Sequence, residues 1–322
     1  VSEASVCLIC LGEKPDAGEY HQRCLEDLWG QPTAPRLPAE LQATGASVLA
    51  LMAEQAEKKV SISGAQPKAL IRVNSKGFCE VVGTGSTHIL KPPSDRYANL
   101  PANEHASMLL ARCMGLEVPP CGLIRIEQGW LYVIRRFDRN GSKKNLNDFC
   151  QLLGLQPEHK YQGNAELCAE AIQRYSSEPR SSLKTLFRIL LVGYVLHNGD
   201  LHLKNLSLME DDQGAWDLSP VYDMVNTHFY EQRSWNWNLS VVGERKEITR
   251  RQWLHFAETH CLLAPDDAAQ ALDRVLACIE PCRSLLTRSL LSQDWQQKYA
   301  HLLSKRLRAL ASPRSTRPKR RS

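Results

Sequence analysis

No apolar run in this 322-residue chain is long enough to cross a bilayer, and it opens without a charged-then-apolar leader, so the sequence predicts a cytoplasmic protein with no membrane partner. Net charge is scarce as well: the formal balance is +5, and part of it lies between Arg314 and Arg321. A body that close to neutral does not bind nucleic acid by bulk electrostatics, although a basic tail can still meet phosphates. Low-complexity bias is also missing. With 43% hydrophobic residues the chain can build one large or two ordinary cores, which excludes disordered and fibrous classes.

The eleven cysteines do not fit a small secreted disulfide scaffold, because the chain is too long for that class. In a reducing compartment, scattered thiols such as Cys79, Cys113, Cys168 and Cys278 read as small buried apolar residues. The N-terminus differs. Cys7 and Cys10 are followed, after a Gly/Pro-containing loop, by His21 and Cys24, and this set can close a tetrahedral zinc site. Such a zinc would be structural, since four protein ligands leave no open position. The alternative is a small irregular cap with unliganded thiols.

Residues 31–38 are rich in proline and read as a linker, and 39–59 carry apolar residues at helical spacing. Ser61-Ile62-Ser63-Gly64-Ala65-Gln66-Pro67-Lys68 then precedes an alternating strand pattern. Small residues there let backbone amides approach phosphate oxygens, and Lys68 adds a point charge. With one glycine the loop is neither a Walker loop nor an ordinary kinase glycine loop, and an ordinary polar turn would look similar.

Short strands are expected at 77–82 and 87–91. The second ends in Lys91, which is costly to bury unpaired, and Glu104, in a helix predicted over 101–114, is its natural partner. Two more strands, 118–126 and 130–137, lead to a connection where a kinase hinge would hold adenine through main-chain groups, with Phe137 near the base. Helices are expected at 147–153, 164–175 and 182–197, then from 252 onward, including 285–310. A tail from 312 is predicted to be disordered.

The apolar helix 182–197 delivers the most informative stretch, Asp200-Leu201-His202-Leu203-Lys204-Asn205. A hairpin over 206–218 follows, and Asp223 lies at its exit. An Asp that can accept the proton of an attacking hydroxyl, with an Asn and a second Asp as hard oxygen ligands for Mg2+, is what phosphoryl transfer requires.

Taken together, residues 61–68, Ile89-Leu90-Lys91-Pro92, Asn103-Glu104-His105, Ile134-Arg135-Arg136-Phe137-Asp138-Arg139, 200–205 and Ser219-Pro220-Val221-Tyr222-Asp223 resemble the HipA toxin kinase family, most closely its short HipT-type members. The resemblance implies an α+β, two-lobed protein-kinase-like fold: a Cys/His segment (1–30), a β-rich small lobe (31–140), a helical lobe (141–311) and a basic tail (312–322). It implies a serine/threonine kinase using ATP and Mg2+, with Asp200 as base and Asn205 and Asp223 as metal ligands. Nucleotide contacts would come from Ser63, Gly64, Gln66, Lys68, Lys91, Glu104, Arg135, Phe137 and His202. Ser61 and Ser63 would be autophosphorylation sites, where added negative charge repels ATP. Implied partners are a HipB-like DNA-binding antitoxin, a small HipS-like protein resembling the N-terminal subdomain of long members, and an aminoacyl-tRNA synthetase substrate, with DNA reached only through the antitoxin. The usual Gly-Asn before the catalytic Asp is here Asn198-Gly199. Competing readings are a small-molecule phosphotransferase of the aminoglycoside-kinase type and a non-catalytic, zinc-containing DNA-associated regulator.

Overall fold

The computed structural model describes residues 5–15, 18–38, 67–127, 129–139, 141, 143–230 and 237–311. The expected helix over 39–59, the loop residues Ser61, Ser63, Gly64 and Gln66, and the tail from 312 lie outside the described residues.

Five strands form the small-lobe sheet: β1 (Ala69–Val73), β2 (Cys79–Val81), β3 (His88–Lys91), β4 (Cys121–Ile126) and β5 (Gly129–Arg135). They run antiparallel in the order β2-β1-β3-β5-β4. Alternation assigns each residue to one face. Ala69, Ile71, Leu90, Leu131 and Val133 cover the outer face with Ile9, Leu25, Leu28 and Trp29. Tyr132 and Ile134 face the large core shared with the helices.

The N-terminal segment is part of this lobe. Helix α1 (Gln22–Trp29) ends at Gly30, whose left-handed φ of 70° lets its N–H reach the Glu26 carbonyl. The carbonyls of Leu8, Ile9 and Leu28 receive the Leu123 amide at 2.9 Å, the His105 ring at 2.9 Å and the His88 ring at 2.7 Å. Gly122 permits this approach, because a Cβ there would lie 2.8 Å from Ile9 Cγ1. The expected linker is also pinned to the sheet: Arg36 exchanges backbone hydrogen bonds with Gly77 and Cys79, and Leu37 is buried. Its prolines disfavour regular structure but do not prevent these bonds.

Helix α2 (Leu100–Cys113) packs beneath the sheet and is buried on nearly every side. The second lobe contains α3 (Phe149–Leu152), α4 (Ala165–Tyr175), α5 (Pro179–Val195), α6 (Arg250–Thr259), α7 (Pro265–Ala277), α8 (Ile279–Arg288) and α9 (Gln293–Ala311). It also holds a small antiparallel sheet of β6 (Leu146–Asp148), β7 (Ser207–Glu210) and β8 (Trp216–Leu218).

Two helix expectations are corrected. Residues 146–148 pair with β7, and Asp148 then caps a single helical turn, accepting the Gln151 amide at 3.0 Å while Gln151 Oε1 accepts the Asp148 amide at 2.8 Å. The expected helix over 285–310 breaks at Ser289, where Gln296 Nε2 donates to the Ser289 and Leu291 carbonyls. That side chain satisfies carbonyls that would otherwise need a continuing helix.

Three buried histidines are held neutral. Burial pushes His88 and His105 down to about 4 and His197 to about 3. Between pH 6.5 and 4 the unfolded chain therefore binds protons first, and stability falls as pH falls through that window. The thermal midpoint should drop across it with up to about 1.4 kcal/mol per pH unit for each histidine titrating. A His88→Gln variant, which cannot charge, should lose part of that dependence, and an unchanged pH profile would contradict the assignment.

Candidate active site

Helix α5 ends in a Schellman arrangement. His197 takes the left-handed conformation (φ 58°), its amide bonds the Tyr194 carbonyl, and the Asn198 amide bonds that of Gly193 at 2.9 Å. A non-glycine residue at this position carries strain that its surroundings must offset. They do so through the His197 carbonyl, which accepts the Thr227 amide at 3.0 Å, and through the Gly199 amide, which donates to Thr227 Oγ1 at 3.0 Å. The reversal that presents Asp200 therefore depends on His197, with Asn198 serving as a tie: its Nδ2 reaches the Asp223 carbonyl at 3.3 Å. That tie supports Asp223 itself, also left-handed at φ 57°.

Lys91 joins three elements. From the end of β3 its Nζ donates to Glu104 Oε1 of α2 at 2.7 Å and to Asp223 Oδ1, and it lies 5.7 Å from the centre of the Tyr132 ring. Lys91 and Glu104 are buried, whereas the Asp223 side chain is 38% exposed toward the cleft. Burial pushes the Lys91 ammonium down, but the Asp223 and Glu104 carboxylates outweigh it and the net shift is upward. Burial pushes Asp223 up, yet Lys91 and Lys68 hold it at about 2. Glu104 is raised to about 7, because burial and the Asp223 charge exceed what its half-share of Lys91 returns. Its Oε2 has no hydrogen-bond partner among the described residues. Protonation of Glu104 favours the folded state between about 4.5 and 7, which partly offsets the histidines.

Asn205 lies opposite. Its Nδ2 is 3.4 Å from Asp223 Oδ2 and its Oδ1 accepts the His202 amide at 3.1 Å, leaving a second lone pair. Hard oxygen donors on Asn205 and Asp223 suit Mg2+. Lys68 stands close enough for its charge to be felt by Asp223: burial lowers its pKa and the Asp223 carboxylate acts against that. Asp200 is exposed.

Not every expected residue joins this cluster. Arg135 pairs with His88 on β3, three positions from Lys91, and so occupies the outer face, donating to the Asp27 carbonyl at 3.0 Å. The Arg135 and Arg136 amides bond the Pro120 and Thr87 carbonyls within the small lobe, so neither is presented to a base. Phe137 stacks on Tyr222 at 5.7 Å beside Asp223. Asp138 locks the connection, accepting both Arg136 Nε at 2.9 Å and Nη2 at 2.6 Å, and Arg139 at 2.6 Å. His202 is buried, which lowers its pKa, and meets the Tyr161 ring edge-on at 5.2 Å.

Sequence reading missed Tyr161. Its hydroxyl donates to Asp200 Oδ1 at 2.8 Å, and its ring carries the Lys160 ammonium at 4.7 Å. The segment has neither periodicity nor a motif, so nothing in the sequence marked it. Lys204 is held by Asp148 at 2.5 Å. A groove of 1310 Å3 lined by Trp130, Leu286, Leu290 and one face of α9 shares no residue with this cluster. At the other end of the small lobe, the ligand atoms of Cys7, Cys10, His21 and Cys24 lie within 4.8 Å of one another, an arrangement able to hold a metal ion.

Removing the shared cation should be the most damaging single change in the site. Lys91→Met would leave Glu104 and Asp223 facing each other without charge compensation, at a cost of about 3–5 kcal/mol in urea unfolding. Glu104→Gln should cost less. Equal stabilities for Lys91→Met and wild type would show that the pair is not formed.

Comparison with known proteins identifies the family and the fold. The family described as HipA-like C-terminal domain matches residues 60–282. The chain is 31% identical over 250 residues to Y4mE of Sinorhizobium fredii, a protein named as a kinase, covering 70% of this chain and 59% of that one. The chain spans about half the length of the curated relatives it matches. Among solved structures it is similar to Shewanella oneidensis HipA, seen with HipB and operator DNA, with a TM-score of 0.67 and 22% identity over 78% of this chain and 65% of that one. It is also similar to the Helicobacter pylori kinase CtkA, with a TM-score of 0.53 and 14% identity over 70% of this chain and 89% of that one. These likenesses establish a protein-kinase-like fold with an antiparallel sheet and a helical lobe.

Proposed function

Because the chain belongs to the HipA-like C-terminal domain family, we propose that it is a serine/threonine protein kinase transferring the γ-phosphate of ATP to a serine hydroxyl of a protein. The observation that carries this reading is Lys91 bound by both Glu104 and Asp223, with Asn205 beside Asp223 and Asp200 exposed on the loop tied to them. A lysine fixed by a helix glutamate is a phosphate-holding device, and Asp and Asn oxygens next to it are its metal-holding counterpart.

In this reading Lys91 and Lys68 hold phosphate oxygens, and Ser63, Gly64 and Gln66 supply the covering loop. Asn205 and Asp223 would hold Mg2+, which when bound neutralises charge on the phosphates. Asp200 accepts the proton of the serine hydroxyl as its oxygen bonds to the γ-phosphorus and the bond to the bridging oxygen of ADP breaks. The Tyr161 hydroxyl donates to Oδ1 of that carboxylate, whose second oxygen can accept the serine proton. Phe137, stacked near Asp223, borders the place for the base.

The resemblance to HipT-type members supports finer assignments: autophosphorylation of Ser61 or Ser63, an aminoacyl-tRNA synthetase as substrate, and action as a toxin in the cytoplasm. A HipB-like antitoxin and a HipS-like protein would be its partners, with DNA contacted through the antitoxin. The Shewanella HipA structure contains HipB and operator DNA, which supports the first of these partnerships.

Purified chain incubated with γ-labelled ATP and Mg2+ should label itself, and Asp200→Ala should lower that label by at least about 10²-fold. The double variant Ser61→Ala, Ser63→Ala should lose self-labelling, and a variant labelled as strongly as wild type would exclude both serines as the acceptor. Intact nucleotide binding with no label on the chain or on any synthetase would overturn the proposal in favour of a small-molecule phosphotransferase.

A further inference from the structure

We infer that Cys7, Cys10, Cys24 and His21 bind one zinc ion as a closed structural centre, and that the ion clamps the N-terminal segment onto the small-lobe sheet. The inference stands apart from the reaction at Asp200.

Four features of the segment converge on a metal. His21 Nδ1 lies 3.3 Å from Cys10 Sγ and 3.7 Å from Cys24 Sγ, and all four ligand atoms fall within 4.8 Å. With Zn–S near 2.3 Å and Zn–N near 2.0 Å, tetrahedral ligand atoms stand about 3.5–3.8 Å apart, so little movement is required. The histidine tautomer is already set. Its Nε2 lies 2.7 Å from the Glu13 carbonyl, which can only accept, so Nε2 carries the proton and Nδ1 presents its lone pair to the thiols.

The backbone around Cys10 is shaped for the same purpose. Leu11 is left-handed at φ 57° though buried, and this turn brings the Gly12 amide 3.3 Å from Cys10 Sγ as a donor. Gly12 eases the close packing there: a Cβ would lie 3.2 Å from Cys10 Sγ and 3.4 Å from His21 Cε1. An amide aimed at a sulfur stabilises a thiolate, the form that ligates zinc. Cys7 is fully buried and the other three are partly buried, so the group is partly withdrawn from water.

The centre has a structural load to carry. Beside the apolar contacts of Ile9, Leu25, Leu28 and Trp29 with the sheet, the segment holds the Ile9 and Leu28 carbonyls against His105 and His88, and Tyr20 Oη against the Leu123 carbonyl at 3.1 Å. His105 adjoins Glu104 on α2, so the clamp ends one residue from the glutamate that holds Lys91. Four protein ligands exclude a reacting water, which makes the ion structural.

Elemental analysis of the full chain, purified without added metal or chelator, should give about one zinc per chain. Cys10→Ser and Cys24→Ser should lose it, while Cys278→Ser, in the other lobe, should retain it. In case the serine variants fail to fold, two measurements use folded protein. Cobalt loaded in place of zinc should give thiolate-to-metal charge-transfer absorption and tetrahedral d–d bands. His21→Cys, which supplies a fourth thiolate, should keep the metal and shift those bands. Substoichiometric zinc with no cobalt charge transfer, a Cys7–Cys10 disulfide in the purified chain, or unchanged metal content in Cys10→Ser would overturn the inference.

Discussion

A single buried ammonium sets the constraint that the rest of the molecule satisfies. Lys91 lies out of water with two carboxylates on it, Glu104 from α2 and Asp223 from the loop after the β7–β8 hairpin. A lone charge in that position would cost several kcal/mol, and only converging partners make it tolerable. The sheet, the helix beneath it and the second lobe must therefore meet at one point. The arrangement also leaves Glu104 incompletely compensated, because one cation serves two anions. Asp223 and Asn205 would hold Mg2+, and Glu104 would remain as the residue that fixes Lys91.

The three residues Asn103, Glu104 and His105 show how α2 carries that meeting point. All are buried, and each points to a different part of the chain. Asn103 exchanges hydrogen bonds with the Asn226 backbone at 2.9 and 3.2 Å, Glu104 holds Lys91, and His105 reaches the Ile9 carbonyl. Successive helical residues are 100° apart, so neighbours in sequence address the second lobe, the sheet and the N-terminal segment in turn. The zinc centre inferred for that segment anchors the last of these contacts.

Much of this was legible in the sequence. Strand alternation, the lysine ending β3, the Glu104 helix and the spacing from Asp200 to Asn205 all report local patterns, and each has its expected element. Contacts across long separations were not legible. Lys91 meets Asp223 across 132 positions, and Tyr161 reaches Asp200 from a segment with no pattern of its own. The register with His88, which turns Arg135 to the outer face, is likewise set by strand pairing and not by any local pattern. The left-handed turn at His197, held by Thr227 from a loop 30 positions away, has no local signal either. Proline content suggested a free linker where Arg36 joins the sheet edge.

The proposed function turns on Asp223 as a residue that would hold the Mg2+ accompanying ATP. Calorimetric titration of ATP with and without Mg2+, in wild type and in Asp223→Asn, tests it most directly. Mg2+ should tighten ATP binding to the wild type and leave Asp223→Asn nearly unaffected. The same Mg2+ dependence in both proteins would contradict the account.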